Sequence, residues 1–195
     1  MTLTPSETVG TPTCTFADAD GDALANTVGY STGSGTHIAT VAVADDDADG
    51  AVTFSCTYTD TAGNAIASAI VSASSGSVTL DNTHPSISAV TFASGDYVNN
   101  AEDESAINLL IITSGAEDGQ AVTATLNAAT YTCSVSSNAC TASITSAGLK
   151  GLTDGTAYTF SVAVSDAAGN AATANTAESF TYDVTAPSIG ISAIA

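Results

Sequence analysis

The sequence predicts an all-β chain of two β-sandwich domains in tandem. Apolar residues recur at every second position, and Gly, Asn, Asp and Ser clusters break these runs about every ten to fifteen residues. The chain also repeats itself. "TYTDTAGNA" (57–65) returns as "AVSDAAGNA" (163–171), and "VTLDNTHPSI" (78–87) returns as "FTYDVTAPSI" (180–189). Offsets of about 106 and 102 residues are one sandwich length.

Each copy reads as a strand, a turn closed by Gly-Asn, a second strand, then Asp-x-Thr-x-Pro. Gly permits the left-handed turn, and the Asp and Asn side chains tie its backbone. Pro ends the last strand. In the second copy "SISAVTF", "INLLIIT", "AVTATLN", "ATYTCSV", "ACTASIT", "AYTFSVAVS" and "ESFTYDV" make seven strands. "AEDESAINLLI" (101–111) is the best helix candidate, but its β-branched second half argues for a loop followed by a strand.

Lys150 is the only basic side chain besides the two His, against 20 acidic residues, a net charge of −19. That argues against nucleic acid and anionic membrane surfaces as partners. No run of apolar residues is long enough to span a bilayer. The N-terminus shows neither a basic nor an apolar signal region.

The four Cys lie in strand-like settings, two in each copy. Their even number, and the absence of a CxxC spacing, favour disulfides Cys14–Cys56 and Cys133–Cys140 over zinc. The alternative is four buried thiols in a reducing cytoplasm. The disulfide reading implies an extracellular setting.

"GLTDGTAYTFSVAV", "SDAAGN…FTYDVTAPSI" and the opening "SAVTFASGDYVNNAEDESAINLLIITSGAEDGQAVTATL" resemble bacterial immunoglobulin-like repeats of large secreted adhesins and surface proteins. The first copy resembles a related subtype in repeat arrays of environmental bacteria and archaea. The resemblance covers nearly the whole chain and implies two immunoglobulin-like sandwiches. It says little about function, because such domains host many roles.

By this reading residues 1–84 form a sandwich lacking its first strand. Residues 85–186 form a complete one, and 187–195 are a spare first strand. About 22 fewer residues precede the Gly-Asn turn in the first copy. "PSIGISAIA" (187–195) resembles "PSISAVTFA" (85–93), and its alternation puts Ile189, Ile191 and Ala193 on one face, with Ile194 beside them. Donation of this strand to the next copy would bury two Ile side chains, about 3–6 kcal/mol. The contact is head-to-tail and non-closing, so it would build a homopolymeric filament. The alternative is that the tail continues into a further repeat of a longer adhesin or surface-layer protein.

"ADADGDA" places Asp18, Asp20 and Asp22 at alternate positions around Gly21, a partial match to a calcium loop. Gly29 stands where such a loop needs Glu, and the alternative is a solvated acidic turn. The run Asp45, Asp46, Asp47 and Asp49 reads as a solvated face. The resemblance implies Ca²⁺ near the links between repeats. Its candidate ligands are Asp60, Asp81, Asn100 and Glu102 at the internal link, and Asp166 and Asp183 at the outer one.

His37 and His84 are isolated, and no catalytic triad or carboxylate pair is recognisable. The expectation is therefore not an enzyme. A filament subunit and a repeat segment of a calcium-stiffened adhesin are the two leading readings. A glycan-binding module is the weakest, since the chain has no Trp. Contacts with cell surfaces or glycans are not specified by the sequence.

Overall fold

The computed structural model describes residues 1–24, 27–33, 35–175, 178–190 and 192. The chain divides into two compact units, Met1–Thr83 and His84–Ala195, and is nearly all β.

In the first unit, β1 (Thr2–Leu3), β2 (Thr13–Ala17), β3 (Gly29–Gly33), β4 (Thr36–Thr40), β5 (Gly50–Ala51), β6 (Thr53–Thr57) and β7 (Thr79–Leu80) form small antiparallel sheets. Their orders are β1-β4-β3, β2-β6 and β5-β7. Alternation sets the inward faces: Cys14 and Phe16 on β2 and Ala39 on β4 are buried, and the residues between point out. Among the described residues Cys14, Phe16, Leu24, Ala39, Cys56 and Leu80 make a core of six buried residues. Such a core is thin, and the Cys14–Cys56 disulfide lies inside it. The two Cys stand directly opposite each other on β2 and β6, with Cα atoms 4.1 Å apart.

The second unit contains β8 (Ser86–Phe92), β9 (Tyr97–Val98), β10 (Ile107–Ser114), β11 (Ala121–Leu126), β12 (Ala129–Ser134), β13 (Ala139–Ile144), α1 (Ser146–Lys150), β14 (Thr156–Thr159), β15 (Ser161–Val164) and β16 (Ser179–Tyr182). Three sheets, β13-β10-β8, β12-β11-β15 and β14-β16-β9, turn their apolar faces onto one core. Twenty-one described residues are buried there, and Phe92, Phe160 and Phe180 cluster within it at centroid distances of 4.8–5.6 Å.

One local expectation is corrected, and two local features were not foreseen. "AYTFSVAVS" is two strands: the chain breaks at fully buried Phe160, and β14 and β15 belong to different sheets. "SAGLK" forms a single helical turn, α1, capped by Thr145, whose hydroxyl accepts from the Gly148 N–H at 3.2 Å. The segment around Cys133 and Cys140 is closed by a tight turn at Ser137 and Asn138, both at positive φ. Only Ser136 and Ala139 then pair; β12 runs into one sheet and β13 into another. The Cys133–Cys140 disulfide therefore staples two sheets where they part.

Candidate functional site

The acidic residues sort into two recurring devices. The first is an Asp-tied turn. In residues 60–64 the Asp60 carboxylate accepts from the N–H groups of Ala62 and Asn64 at 2.9 and 2.8 Å, and from the Asn64 side-chain amide at 2.7 Å. The backbone closes from Asp60 N–H to the Asn64 carbonyl, and Gly63 sits at φ 92°. Residues 166–170 repeat this: Asp166 accepts from the N–H groups of Gly169 and Asn170 at 2.8 Å each and from the Asn170 amide at 2.9 Å, with Gly169 at φ 100°.

Residues 18–22 are a third copy, the stretch that in sequence matches a calcium loop only in part and otherwise reads as a solvated acidic turn. Asp18 accepts from the N–H groups of Asp20 and Asp22, its own N–H meets the Asp22 carbonyl, and Gly21 lies at φ 87°. The other Asp18 oxygen accepts from the Ala48 N–H at 2.9 Å. Asp18 is thus the buried knot of a turn, while Asp20 and Asp22 are exposed. The signal for this copy was the shared spacing Asp-x-x-Gly, which the Asp for Asn exchange at position 22 obscured.

These hydrogen bonds favour the charged carboxylate. The Ala48 N–H foremost holds the Asp18 carboxyl below the usual range. The Asn64 side chain does the same for Asp60. At Asp166 burial pulls upward, but Asn170 and the turn N–H groups outweigh it, so the carboxyl is again lowered.

The second device is a clamp on the Asp-x-Thr segments. Asp154, two residues ahead of β14, accepts from the Val184 N–H at 2.8 Å and from the Thr185 hydroxyl. The Thr185 hydroxyl is the main reason its carboxyl is lowered. Asp49, one residue ahead of β5, accepts from the Asn82 N–H and the Thr83 hydroxyl, both at 2.5 Å. In each unit an Asp-Gly dipeptide thereby pins the segment leaving the last strand. Within that segment Asp81 accepts from the Thr83 N–H at 3.1 Å and Asp183 from the Thr185 N–H at 3.2 Å. The acidic run at 45–49 is therefore not simply a solvated face. Asp47 is buried and accepts from the Ala44 N–H at 2.7 Å, and Asp49 holds the exit.

Sequence reasoning also missed buried Asp103. It accepts from the Tyr182 hydroxyl at 2.6 Å and pushes the Tyr182 pKa up to about 12. Lys150 pairs with Glu104 at 2.8 Å on the surface.

The predicted calcium ligands are not gathered. Asp60 and Asp166 serve their own turns, Asn100 is exposed, and Glu102 accepts from the Asn99 N–H at 3.0 Å. Among the described residues no group of three or more His, Cys, Asp or Glu side chains is placed to hold a metal ion. The residues of either unit thus do not fit a preformed calcium site. His37 is buried with Nδ1 3.2 Å from the Thr32 hydroxyl, and His84 is exposed with Nδ1 2.9 Å from the Ala171 carbonyl. Ile189 of the proposed donor strand is 94% exposed. Ile191, Ala193 and Ile194 lie outside the described residues.

No family model matches the chain, and no curated protein does either. Solved structures share its architecture loosely. A 1.5-MDa bacterial ice-binding adhesin, described with its host cell surface retention, is 23% identical at a TM-score of 0.45, over 92% of this chain and 55% of that one. A Ca²⁺-stabilized, ice-binding adhesin of an Antarctic bacterium is 24% identical at 0.48, over 92% and 41%. A tetra-tandem repeat from the extending region of a large adhesion protein is 21% identical at 0.44, over 90% and 42%. The chain thus spans about half or less of each of these solved chains, and the likeness is one of fold at most.

Proposed function

We propose that this chain is a segment of an extracellular, linear array of β-sandwiches, a spacer of adhesin or surface-protein type rather than an enzyme. The observation that carries this is the duplicated exit clamp. Asp49 and Asp154 each pin an Asp-x-Thr segment, the same chemistry in two units built on different strand sets. A linear spacer needs its chain fixed where it leaves each unit, and the clamp does this in both. Two disulfides suit an oxidising exterior, and the net charge of −19 keeps such an array dispersed.

Calcium belongs to this proposal as a counter-ion of the acidic links. The exposed carboxylate of Asp183 in the exit segment is accessible to it. The experiment is a distance measurement between spin labels, one in each unit. Asp49→Ala should broaden the distance distribution, and calcium at matched ionic strength should narrow that of the parent chain. An unchanged distribution in Asp49→Ala would refute the spacer reading.

A second reading, assembly of separate chains into a filament, is favoured by one observation. Ile189 is 94% exposed in a segment whose Pro-Ser-Ile sequence also opens β8, where Ile87 packs on the core. Both readings give a linear array, and boiling native material in denaturant separates them. Free 19.0 kDa chains mean a filament.

A further inference from the structure

The first unit contains a specific place for such a strand. In the second unit β10 is central, flanked by β13 and β8. Its end, residues 111–114, pairs with β8 through Ile111↔Val90, Thr113↔Ile87 and Ser114↔Ser86. β1 is the counterpart of that end. Leu3 precedes Thr13 by as many residues as Thr113 precedes Thr123. Thr13 pairs with Thr57 and Thr123 with Ala163, and these partners precede Asp60 and Asp166 by the same interval. On the other flank Met1 bonds Ala39 as Ile111 pairs with Cys140. Yet β1 stands at the edge of the order β1-β4-β3, with no described strand where β8 would be.

Leu3, Val9, Pro12, His37, Tyr58 and Ile70 line a small cleft of about 40 Å³. Leu3 and Ile70 are only partly buried and belong to the margin of the core. In the second unit the residue opposite the Leu3 position is Ile87, which packs on the core.

We infer that the open flank of β1 is the acceptor for residues 188–190 of a second copy, with Ile189 opposite Leu3 and its side chain in the cleft. The inference rests on the linear-array reading and supplies its docking address. β8 reaches from Ile87 to Val90 through a bulge between Ile112 and Thr113. In the tail Gly190 follows Ile189 directly, so Gly190 falls opposite Thr2 and alternation turns Ile189 inward. Pairing starts no earlier than Ser188. In the second unit a Cβ at Gly115 would come within 3.2 Å of Pro85, and Pro5 occupies the Gly115 position in the first unit, so Pro187 cannot sit as Pro85 does.

The test uses the full chain carrying Ile189→Asp, an exposed substitution that leaves both units folded and silences its own tail. The ¹⁵N-labelled variant is titrated with a synthetic peptide of residues 185–195. The amides of Leu3, Thr4, Tyr58 and Ile70 should shift and saturate. A peptide with Ile189→Asp should bind at least about tenfold more weakly, because its carboxylate would lose hydration in an apolar cleft. Shifts confined to β3 or to the second unit, or no binding, overturn the address. Sedimentation of the parent chain over rising concentration tests the array separately. Assembly with Leu3 untouched by peptide overturns the address alone. A chain that stays monomeric while peptide binds at Leu3 overturns assembly between copies and leaves the address standing.

Discussion

At the scale of single residues, the carboxylates explain both the acidity and its pH consequence. Asp18, Asp60, Asp154 and Asp166 have carboxyls held below the ordinary value by N–H and O–H donors. A lowered folded pKa contributes stability that is present above the unfolded value, about 3.9, and lost as pH falls through the folded one. Thermal melts should therefore be flat from pH 7 to about 5 and drop steeply below about pH 4. Tyr182 works in the opposite sense. Its pKa is raised to about 12, so its contribution is intact below the unfolded value of about 10. It should fade as pH rises from there to about 12. Tyr182→Phe strips the hydroxyl from buried Asp103 and should cost about 1–3 kcal/mol in denaturant titration. A cost near zero would mean that water satisfies Asp103 unaided.

At the scale of elements, the strands were legible and the corners were not. Period-two alternation located β8, β10 to β13 and β16 to within a residue or two, because one face of each is buried or half-buried. It could not see Phe160 divide one run into two strands, since alternation continues across the break while the hydrogen-bond partner changes. Nor could it find the exit clamps. Asp49 and Asn82 are 33 residues apart in sequence, and Asp154 and Val184 are 30 apart, so only folding brings them together. The Asp-tied turns were readable where Gly-Asn closed them and were missed where Asp22 did. One hairpin offers a direct check. Ala128 closes the β11–β12 turn at φ 65°, a left-handed position where glycine is better suited. Ala128→Gly should stabilise the second unit by about 0.5–1 kcal/mol, read from its denaturation midpoint.

For the whole molecule, the two units are unequal. Among the described residues the first rests on six buried residues and a disulfide spanning 42 positions; the second has a core of twenty-one and a disulfide spanning 7. Chain entropy makes the longer bridge worth about 4 kcal/mol and the shorter about 2.5 kcal/mol. Reduction should therefore split calorimetric melting into two transitions, both moved down, with the first unit unfolding well before the second. A single transition shifted as a block would contradict two separately cored units. The parallel pairing of β9 with β16 has a consequence for how the second unit bears load. Strands near the unit's entry and at its exit run the same way, so tension on the two ends draws them in opposite directions along their axes. The hydrogen bonds Thr181 N–H to the Asp96 carbonyl and Asp183 N–H to the Val98 carbonyl are then strained together, in shear, instead of one after another. In the first unit the last strand, β7, has only the two-residue antiparallel ladder to β5. Stretched singly between a bead and a surface, the second unit should yield at the higher force. Under drag, an array of such pairs would lengthen by surrendering its weaker members first and would keep its sheared ones intact.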